Sequence, residues 1–207
     1  MTPPPSAPGR SIAELLEPHP VVRPPVHSAG AAVTVVLREG SRDVEVLLIE
    51  RATDDSDPAS GQVALPGGHV AERDGNLTLT ALRELEEEVG LSQDDLEGDL
   101  HYVSTEFARR FGLKVAVFAA RLGARGNRPV VRSPREVAHV FWLPQATLEG
   151  PTRVERETSL GRLPVSATVH EGHVLWGFTR RVLCQFFDYP LGDDPFGPVF
   201  APTRPPR

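Results

Sequence analysis

The segment from residue 77 to residue 90 constrains the fold most, because it predicts one amphipathic helix with an apolar side and an acidic side. Successive helical residues advance by about 100°, which groups three apolar side chains on one face: Leu82, Leu85 and Val89. The same spacing groups three carboxylates on a neighbouring face: Glu84, Glu87 and Glu88. Gly90 stands where a helix C-cap glycine belongs. This helix requires a core on one side and a positive partner on the other.

The acidic face needs a compensating charge, because like charges at these spacings repel by a few tenths of a kcal/mol per pair. Arg83 can neutralise one carboxylate, whereas a divalent cation neutralises more. Carboxylate oxygens are the ligands that Mg²⁺ and Mn²⁺ prefer. The upstream sequence "LPGG" predicts a tight turn whose backbone carbonyls can face the same ion. The alternative is a solvated acidic face, which is common on surface helices.

Strand-like segments surround this helix and set the fold class. The apolar and β-branched patterns lie at residues 31–37, 44–51, 100–107, 113–122, 136–143, 163–169 and 173–176. Residues 38–43 read as a hairpin turn, and residues 177–188 predict a final amphipathic helix. This order predicts an α+β fold, in which a mixed sheet carries a helix on each face.

Proline is concentrated at the two ends of the chain, which holds 21 prolines. Proline-rich segments form neither helices nor central strands, so both ends are predicted to be extended or disordered. Residues 11–17 predict a short capped helix between proline stretches. Deleting the residues before Val21 or after Gly192 is expected to leave the fold intact. The predicted organisation is a proline-rich extension over 1–29, one domain over 30–190 and a tail over 191–207.

Composition excludes several classes of function. The net charge of −6 disfavours non-specific binding to nucleic acid phosphates. No apolar run is long enough to span a membrane, and the N-terminus lacks the apolar segment of a signal peptide. Cys184 is the only cysteine, which excludes an intrachain disulfide and a thiolate metal cluster. We therefore predict a cytoplasmic protein with neither a nucleic acid nor a membrane as partner.

Residues 83–91 read Arg-Glu-Leu-x-Glu-Glu-x-Gly-Leu and match the second half of the Nudix box at every defined position. The first half, counted from Gly68, departs from the family pattern. Asp74 stands where the family has glutamate, and one extra residue precedes Arg83. Asp74 can still accept hydrogen bonds in this loop. The chain thus resembles a Nudix hydrolase, which implies an α/β/α sandwich around a mixed β-sheet.

The resemblance also implies a reaction and the residues that carry it. Nudix hydrolases cleave a nucleoside diphosphate linked to another moiety, so it implies a small-molecule nucleotide substrate and Mg²⁺ or Mn²⁺ as cofactor. The implied metal ligands are Glu84, Glu88, Glu87 and Gly68. The implied catalytic residues are Glu87, Glu136 and Arg83. Two alternatives stay open: Glu87 can instead pair with Arg83, and Glu136 can be a solvated loop residue beside Arg135. Homodimers are frequent in the family, which makes a homodimer an expectation.

A second resemblance concerns the substrate. The sequence "LLIERA…GQVALPGG" over residues 47–68 is similar to the signature of coenzyme A pyrophosphatases, and the resemblance extends over about residues 31–188. It implies cleavage of coenzyme A or acyl-CoA. The stretch "TDDSDPAS" lacks the arginine that this subgroup usually carries there. The alternatives are another nucleotide, such as ADP-ribose, NADH or a dinucleoside polyphosphate, and a Nudix-fold binding protein without activity.

Five residues are candidates for substrate binding. Arginines suit phosphate oxygens, and the residues of the glycine turn adjoin the carboxylates. The candidates are Arg51, Gly67, His69, Arg109 and Arg110. For Arg109 and Arg110 the alternative is a solvated loop, and for His69 it is a structural histidine.

Overall fold

The computed structural model describes residues 10–54, 60–124, 126–158 and 161–192. One mixed sheet contains seven strands: β1 (Ala31–Glu39), β2 (Val44–Arg51), β3 (Val63–Ala64), β4 (Gly67–His69), β5 (Leu96–Ala108), β6 (Leu113–Leu122) and β7 (Val137–Pro144). A second sheet contains three strands: β8 (Thr152–Thr158), β9 (Gly161–His170) and β10 (His173–Trp176). The α-helices are α1 (Ile12–Leu16), α2 (Leu77–Val89) and α3 (Gly177–Phe187). Short 3₁₀ helices cover Val26–Ser28, Gln93–Asp95, Arg109–Phe111 and Gln145–Leu148.

The seven-stranded sheet is mixed, as predicted. β1 lies at its centre, antiparallel to β2 and parallel to β6. β5 continues the sheet beyond β6, and β7 pairs along the outer side of β2. The short strand β4 pairs with the start of β1, where Gly68 lies opposite Ala32. The glycine turn is therefore fixed to the centre of the sheet.

Alternating side chains of β1, β2 and β6 build a core on each face of the sheet. On one face Val36, Leu47 and Phe118 pack with Leu85 and other apolar residues of α2. On the opposite face lies the second core, which includes residues of α1 and α3: Ile12, Val35, Leu48, Val117 and Leu183. Helices thus cover both faces, and the predicted sandwich of helices around a mixed sheet is confirmed.

The helices begin and end where local chemistry dictates. The Asn76 side chain accepts a hydrogen bond from the Leu79 amide and caps α2. Gly90 ends α2 in the left-handed conformation at φ 71°, which confirms the predicted C-cap. Within α3, Cys184 is fully buried. None of the helices in the described ranges is long and apolar enough to cross a membrane.

The structure corrects one expectation about the N-terminal extension. Ser11 and Glu14 form the predicted capping box of α1. Ile12, Leu15 and Leu16 are buried in the core that α3 also covers. The expectation that all residues before Val21 bury little surface is therefore wrong for α1. The boundary between extension and domain stays a prediction, and residues 1–9 and 193–207 lie outside the described residues.

The three-stranded sheet contains one strand that the sequence did not predict. β8 pairs antiparallel with β9 from Thr152 opposite Ala167 to Thr158 opposite Gly161. Its sequence, "TRVERET", contains only one apolar residue, Val154. It is held by backbone hydrogen bonds to β9 rather than by a buried face of its own. The hairpin of β9 and β10 continues directly into α3.

Candidate active site

Helix α2 places two of its glutamates beneath the glycine turn. The exposed fraction of the residue is 9% for Glu84 and 2% for Glu88, whereas Glu86 and Glu87 are exposed. The apolar side of the helix thus carries two carboxylates into the protein with it. A purely solvated acidic face is excluded for Glu84 and Glu88. Buried charges require partners, and the surrounding backbone and side chains supply several of them.

The glycine turn fits closely around these carboxylates. The Gly67 amide donates a hydrogen bond of 2.8 Å to Glu88 Oε2. A Cβ atom at Gly68 would lie 2.5 Å from Glu84 Oε1, and a Cβ atom at Gly67 would collide with the carbonyl oxygen of Ala32. Gly67 also has φ of 151°, which other residues rarely adopt. The turn can therefore lie against β1 only with glycine at position 67, and glycine at position 68 leaves room for the Glu84 carboxylate.

Arg83 connects the acidic residues around the turn. Its side chain is 15% exposed, and Nη1 donates to Glu84 Oε1 at 2.7 Å and to Glu87 Oε2 at 2.9 Å. Nη2 donates to the His69 carbonyl at 2.9 Å. Glu87 additionally pairs with Arg73 at 2.7 Å. The structure thus realises the alternative in which Glu87 pairs with Arg83, while its metal-binding and catalytic roles stay predictions.

Asp74 provides the buried partner of Arg83 and orders the loop before α2. Its two carboxylate oxygens accept from Arg83 Nε at 3.1 Å and Nη2 at 3.0 Å. They also accept from the Thr80 hydroxyl and the Ala71 amide, each at 2.9 Å. Mainly because of the Arg83 hydrogen bonds, the pKa of Asp74 is lowered to about 2. The hydrogen-bonding role expected for this aspartate is confirmed, despite the extra residue in the loop.

Replacing Asp74 with asparagine tests this ion pair through its pH dependence. A pKa lowered from 3.8 to about 2 corresponds to about 2 kcal/mol of folding free energy. Because the folded pKa is depressed, this stabilisation is present above pH 4 and is lost as the pH falls toward 2. We expect Asp74→Asn to be less stable than wild type by about 2 kcal/mol at pH 7, with the gap closing in acid. Urea unfolding at pH 7, 4 and 3 measures this gap. Asp99→Asn, an exposed control, should show little effect, and a gap for Asp74→Asn that stays constant with pH would contradict the assignment.

Two further charged residues act on the buried carboxylates. The pKa of Glu88 is raised to about 8, mainly by burial and also by Glu84 and Glu136, whereas the Gly67 amide and Arg51 lower it. Burial also raises the pKa of Glu84, where Arg83 opposes the rise and Glu87 and Glu136 add to it. Arg51 ends β2, and the Ala52 amide donates to the Glu136 carbonyl at 2.9 Å, which fixes both segments side by side. The pairing of β2 with β7 therefore brings Arg51 and Glu136 to the carboxylates of α2.

The carboxylate oxygens of this site are suitable ligands for a divalent cation. In the described part of this structure, however, the side chains are not arranged around a common point where a cation could bind. Hard oxygen donors suit Mg²⁺ or Mn²⁺, and a cation would relieve the cost of charging Glu88 next to Glu84 and Glu136. Within the described ranges, however, no three His, Cys, Asp or Glu side chains are grouped so that they could hold a metal ion. One oxygen of Glu84 is engaged by Arg83. Cation binding at this oxygen would require Glu84 to exchange its arginine contact for the metal.

The remaining predicted site residues are His69, Arg109 and Arg110, and the structure shows no side-chain hydrogen bond or ion pair between the described ones and Glu84 or Glu88. His69 is exposed and contributes its backbone carbonyl to Arg83, so its side chain is not what orders the site. Arg109 is exposed in the 3₁₀ helix between β5 and β6. The Arg110 side chain lies outside the described part of the chain. The binding roles of these residues stay predictions.

A family model matches more than half of the sequence. The family model described as the NUDIX domain covers residues 28–162. The chain belongs to the Nudix family. This confirms the family that the box of residues 83–91 predicted, and the buried glutamates of α2 lie within the matched region.

Individual Nudix proteins are similar to this chain over much of its length. Nudix hydrolase 22 of Arabidopsis thaliana, a chloroplastic protein, is 32% identical over 165 residues, which are 75% of this chain and 53% of that protein. The peroxisomal coenzyme A diphosphatase of Caenorhabditis elegans is 35% identical over 119 residues, 55% of this chain and 48% of that protein. The chain thus spans about half the length of these curated relatives. A Nudix hydrolase structure from Alicyclobacillus acidocaldarius shares the fold, with a TM-score of 0.51, 19% identity and coverage of 78% of this chain and 92% of that chain.

Proposed function

We propose that this protein hydrolyses the diphosphate bond of coenzyme A or an acyl-CoA in a reaction that depends on Mg²⁺ or Mn²⁺. The products are 3′,5′-ADP and 4′-phosphopantetheine or its acyl derivative. One observation carries the proposal: Glu84 and Glu88 are held beneath the glycine turn at the end of the sheet where Arg51 and Glu136 also lie. Nudix hydrolases act on small nucleotides with divalent metal ions; the particular metal and substrate are the proposed part.

The residues of the site have complementary roles in this reaction. Glu84 and Glu88 would hold a divalent ion, which would screen the diphosphate charge and polarise its phosphorus–oxygen bonds. Arg51 provides a positive side chain near Glu88 for the phosphate oxygens. Glu136 is exposed at the edge of the site and is the proposed general base for the attacking water. Arg83 and Asp74 hold the turn and the helix in place.

The substrate class rests on the segment before the box. Residues 47–68 carry the pattern of coenzyme A pyrophosphatases, and a coenzyme A diphosphatase is among the similar proteins. The stretch "TDDSDPAS", residues 53–60, lacks the arginine of the subgroup, so we expect one phosphate of the substrate to be bound more weakly. Residues 55–59 of this stretch lie outside the described residues. ADP-ribose is the second candidate, because the carboxylate site would accept any accessible diphosphate.

A side-by-side rate comparison tests the substrate. Coenzyme A, dephospho-CoA and ADP-ribose are assayed with Mg²⁺ and with Mn²⁺. We expect coenzyme A to be hydrolysed fastest, and dephospho-CoA less well if arginines bind the free 3′-phosphate. A much faster turnover of ADP-ribose would contradict the coenzyme A assignment while leaving the Nudix chemistry in place.

Two further expectations belong to this proposal. A cytoplasmic location stays a prediction, since similar proteins carry chloroplastic, mitochondrial and peroxisomal names. A homodimer stays a prediction as well, and light scattering of the purified protein decides it. Neither expectation affects the chemistry of the site.

A further inference from the structure

A concave site lies between the end of β2 and the three-stranded sheet. It is a cleft of about 670 Å³, a size that suits a ligand or a large part of one. Its lining joins the start of β3 to the hairpin of β8, β9 and β10. Residues that define its walls are Glu50, Gln62, Val63, Arg156, His173 and Trp176. The motif "GQV", residues 61–63, thus lines this cleft.

His173 is fixed at the wall of the cleft by contacts on two sides. Its ring is stacked on Phe141, with ring centroids 4.0 Å apart and an angle of 7° between the planes. Its Nδ1 is hydrogen-bonded to Glu50 Oε2 at 2.7 Å. Phe141 does not line the cleft, whereas His173 does. A planar ring backed by a second ring is therefore held at the cleft wall, and Trp176 contributes another aromatic surface.

The charges around the cleft disfavour a phosphate group. Among the described residues that line it, three are glutamates and two are arginines: Glu50, Glu155, Glu157, Arg156 and Arg162. A bound phosphate would meet the carboxylates at close range. An uncharged, planar group with hydrogen-bond donors and acceptors suits this mixture better.

The cleft adjoins the proposed phosphate site. Glu50, which holds His173, is followed directly by Arg51, which acts on Glu88. The register of β2 against β7 shifts between these two residues, where β7 carries one extra residue, Ala138. The Arg51 amide also donates to the Gln62 carbonyl at 3.0 Å, which ties the cleft lining to the same point. If a nucleotide binds with its diphosphate at Arg51, the rest of the nucleotide can reach the neighbouring cleft.

We propose that this cleft binds the purine base of the nucleotide substrate, with the base stacked on His173 beside Trp176. The inference rests on the proposed function for the phosphate end of the ligand. Stacking on aromatic side chains contributes substantially to the binding of a base. The Gln62 amide is of the type that pairs with the donor and acceptor on the edge of adenine. Glu50 positions His173 through its hydrogen bond.

The test measures binding of nucleotide fragments in the absence of turnover. AMP and ribose 5-phosphate, which differ by the base, are titrated calorimetrically against wild type, His173→Ala, His173→Phe and His170→Ala. In wild type AMP should bind about tenfold more tightly than ribose 5-phosphate, and in His173→Ala this ratio should fall toward one. His173→Phe keeps a stacking ring and should retain most of the preference. His170→Ala, on the neighbouring strand and not lining the cleft, should behave as wild type.

The outcomes separate this inference from the proposed function. A preference for AMP that persists in His173→Ala, or is absent from wild type, overturns the base site even if coenzyme A is hydrolysed. A preference lost in His173→Ala and retained in His173→Phe supports the base site even if no diphosphate is cleaved. 4′-Phosphopantetheine should bind equally to all four proteins. If His173→Ala selectively loses binding of 4′-phosphopantetheine, the cleft binds the pantetheine arm instead, and the proposal is overturned.

Discussion

Replacing Glu88 with glutamine is expected to lower turnover by about a hundredfold or more while the fold persists. Glutamine has nearly the same shape, and its carbonyl can still accept the hydrogen bond of the Gly67 amide. It cannot supply the negative charge that a divalent cation needs. The measurement is the kcat of diphosphate hydrolysis at saturating Mg²⁺, together with the urea unfolding curve of each protein.

The stability of this variant has a predictable sign. Burial raises the pKa of Glu88 to about 8, so without metal the folded protein retains a proton on it that the unfolded chain loses above pH 4.5. Glutamine remains neutral at every pH. Without metal, Glu88→Gln should therefore be at least as stable as wild type, and its advantage should be largest above pH 8. Glu86→Gln, on the exposed side of α2, is the matched control and should retain full activity. Near-full activity of Glu88→Gln would refute the role of Glu88.

Replacing Leu15 with alanine should destabilise the protein by about 2–5 kcal/mol. The residue is only 2% exposed in the core that α1, α3 and the sheet share. The cost combines the lost transfer of an apolar side chain and the cavity that it leaves. Urea or thermal unfolding without metal measures the change. Because Leu15 lies on the face of the sheet opposite α2, the kcat of the folded variant should stay close to wild type.

Leu79→Ala is the matched control for this prediction. Leu79 is also a helical leucine, but its exposed fraction is 49%. Its replacement should change the unfolding free energy by about 0.5 kcal/mol or less. Equal small effects for both variants would show that α1 does not dock in solution, and the sequence-based expectation of a dispensable N-terminal segment would then stand.

The sequence predicted the parts of the fold whose signals are local. Helix α2 was predictable because the apolar spacing of Leu82, Leu85 and Val89 and the C-cap at Gly90 lie within one short segment. The central strands were predictable because β1, β2 and β6 are continuous apolar runs. The box of residues 83–91 identified the carboxylates, since its spacing is preserved at every defined position.

The remaining features depend on contacts that are distant in sequence. Ile12, Leu15 and Leu16 have helical spacing, but nothing local indicates that they pack into the core that α3 also covers. β8 was missed because its sequence holds four charged residues and a single apolar one, Val154. Helix spacing placed Glu84 and Glu88 beside the apolar face, but it did not show that the glycine turn closes over them. The contact between Glu50 and His173 joins residues 123 positions apart. No local sequence pattern predicts such a contact.

The most direct test of the central claim is product analysis after incubation with coenzyme A, with Mg²⁺ and with EDTA. The account predicts 3′,5′-ADP and 4′-phosphopantetheine in equal amounts, formed with Mg²⁺, abolished by EDTA and strongly reduced in Glu88→Gln. If coenzyme A stays intact, the same assay is applied to ADP-ribose, NADH and diadenosine polyphosphates. Hydrolysis of none of these compounds by the folded protein would contradict the account.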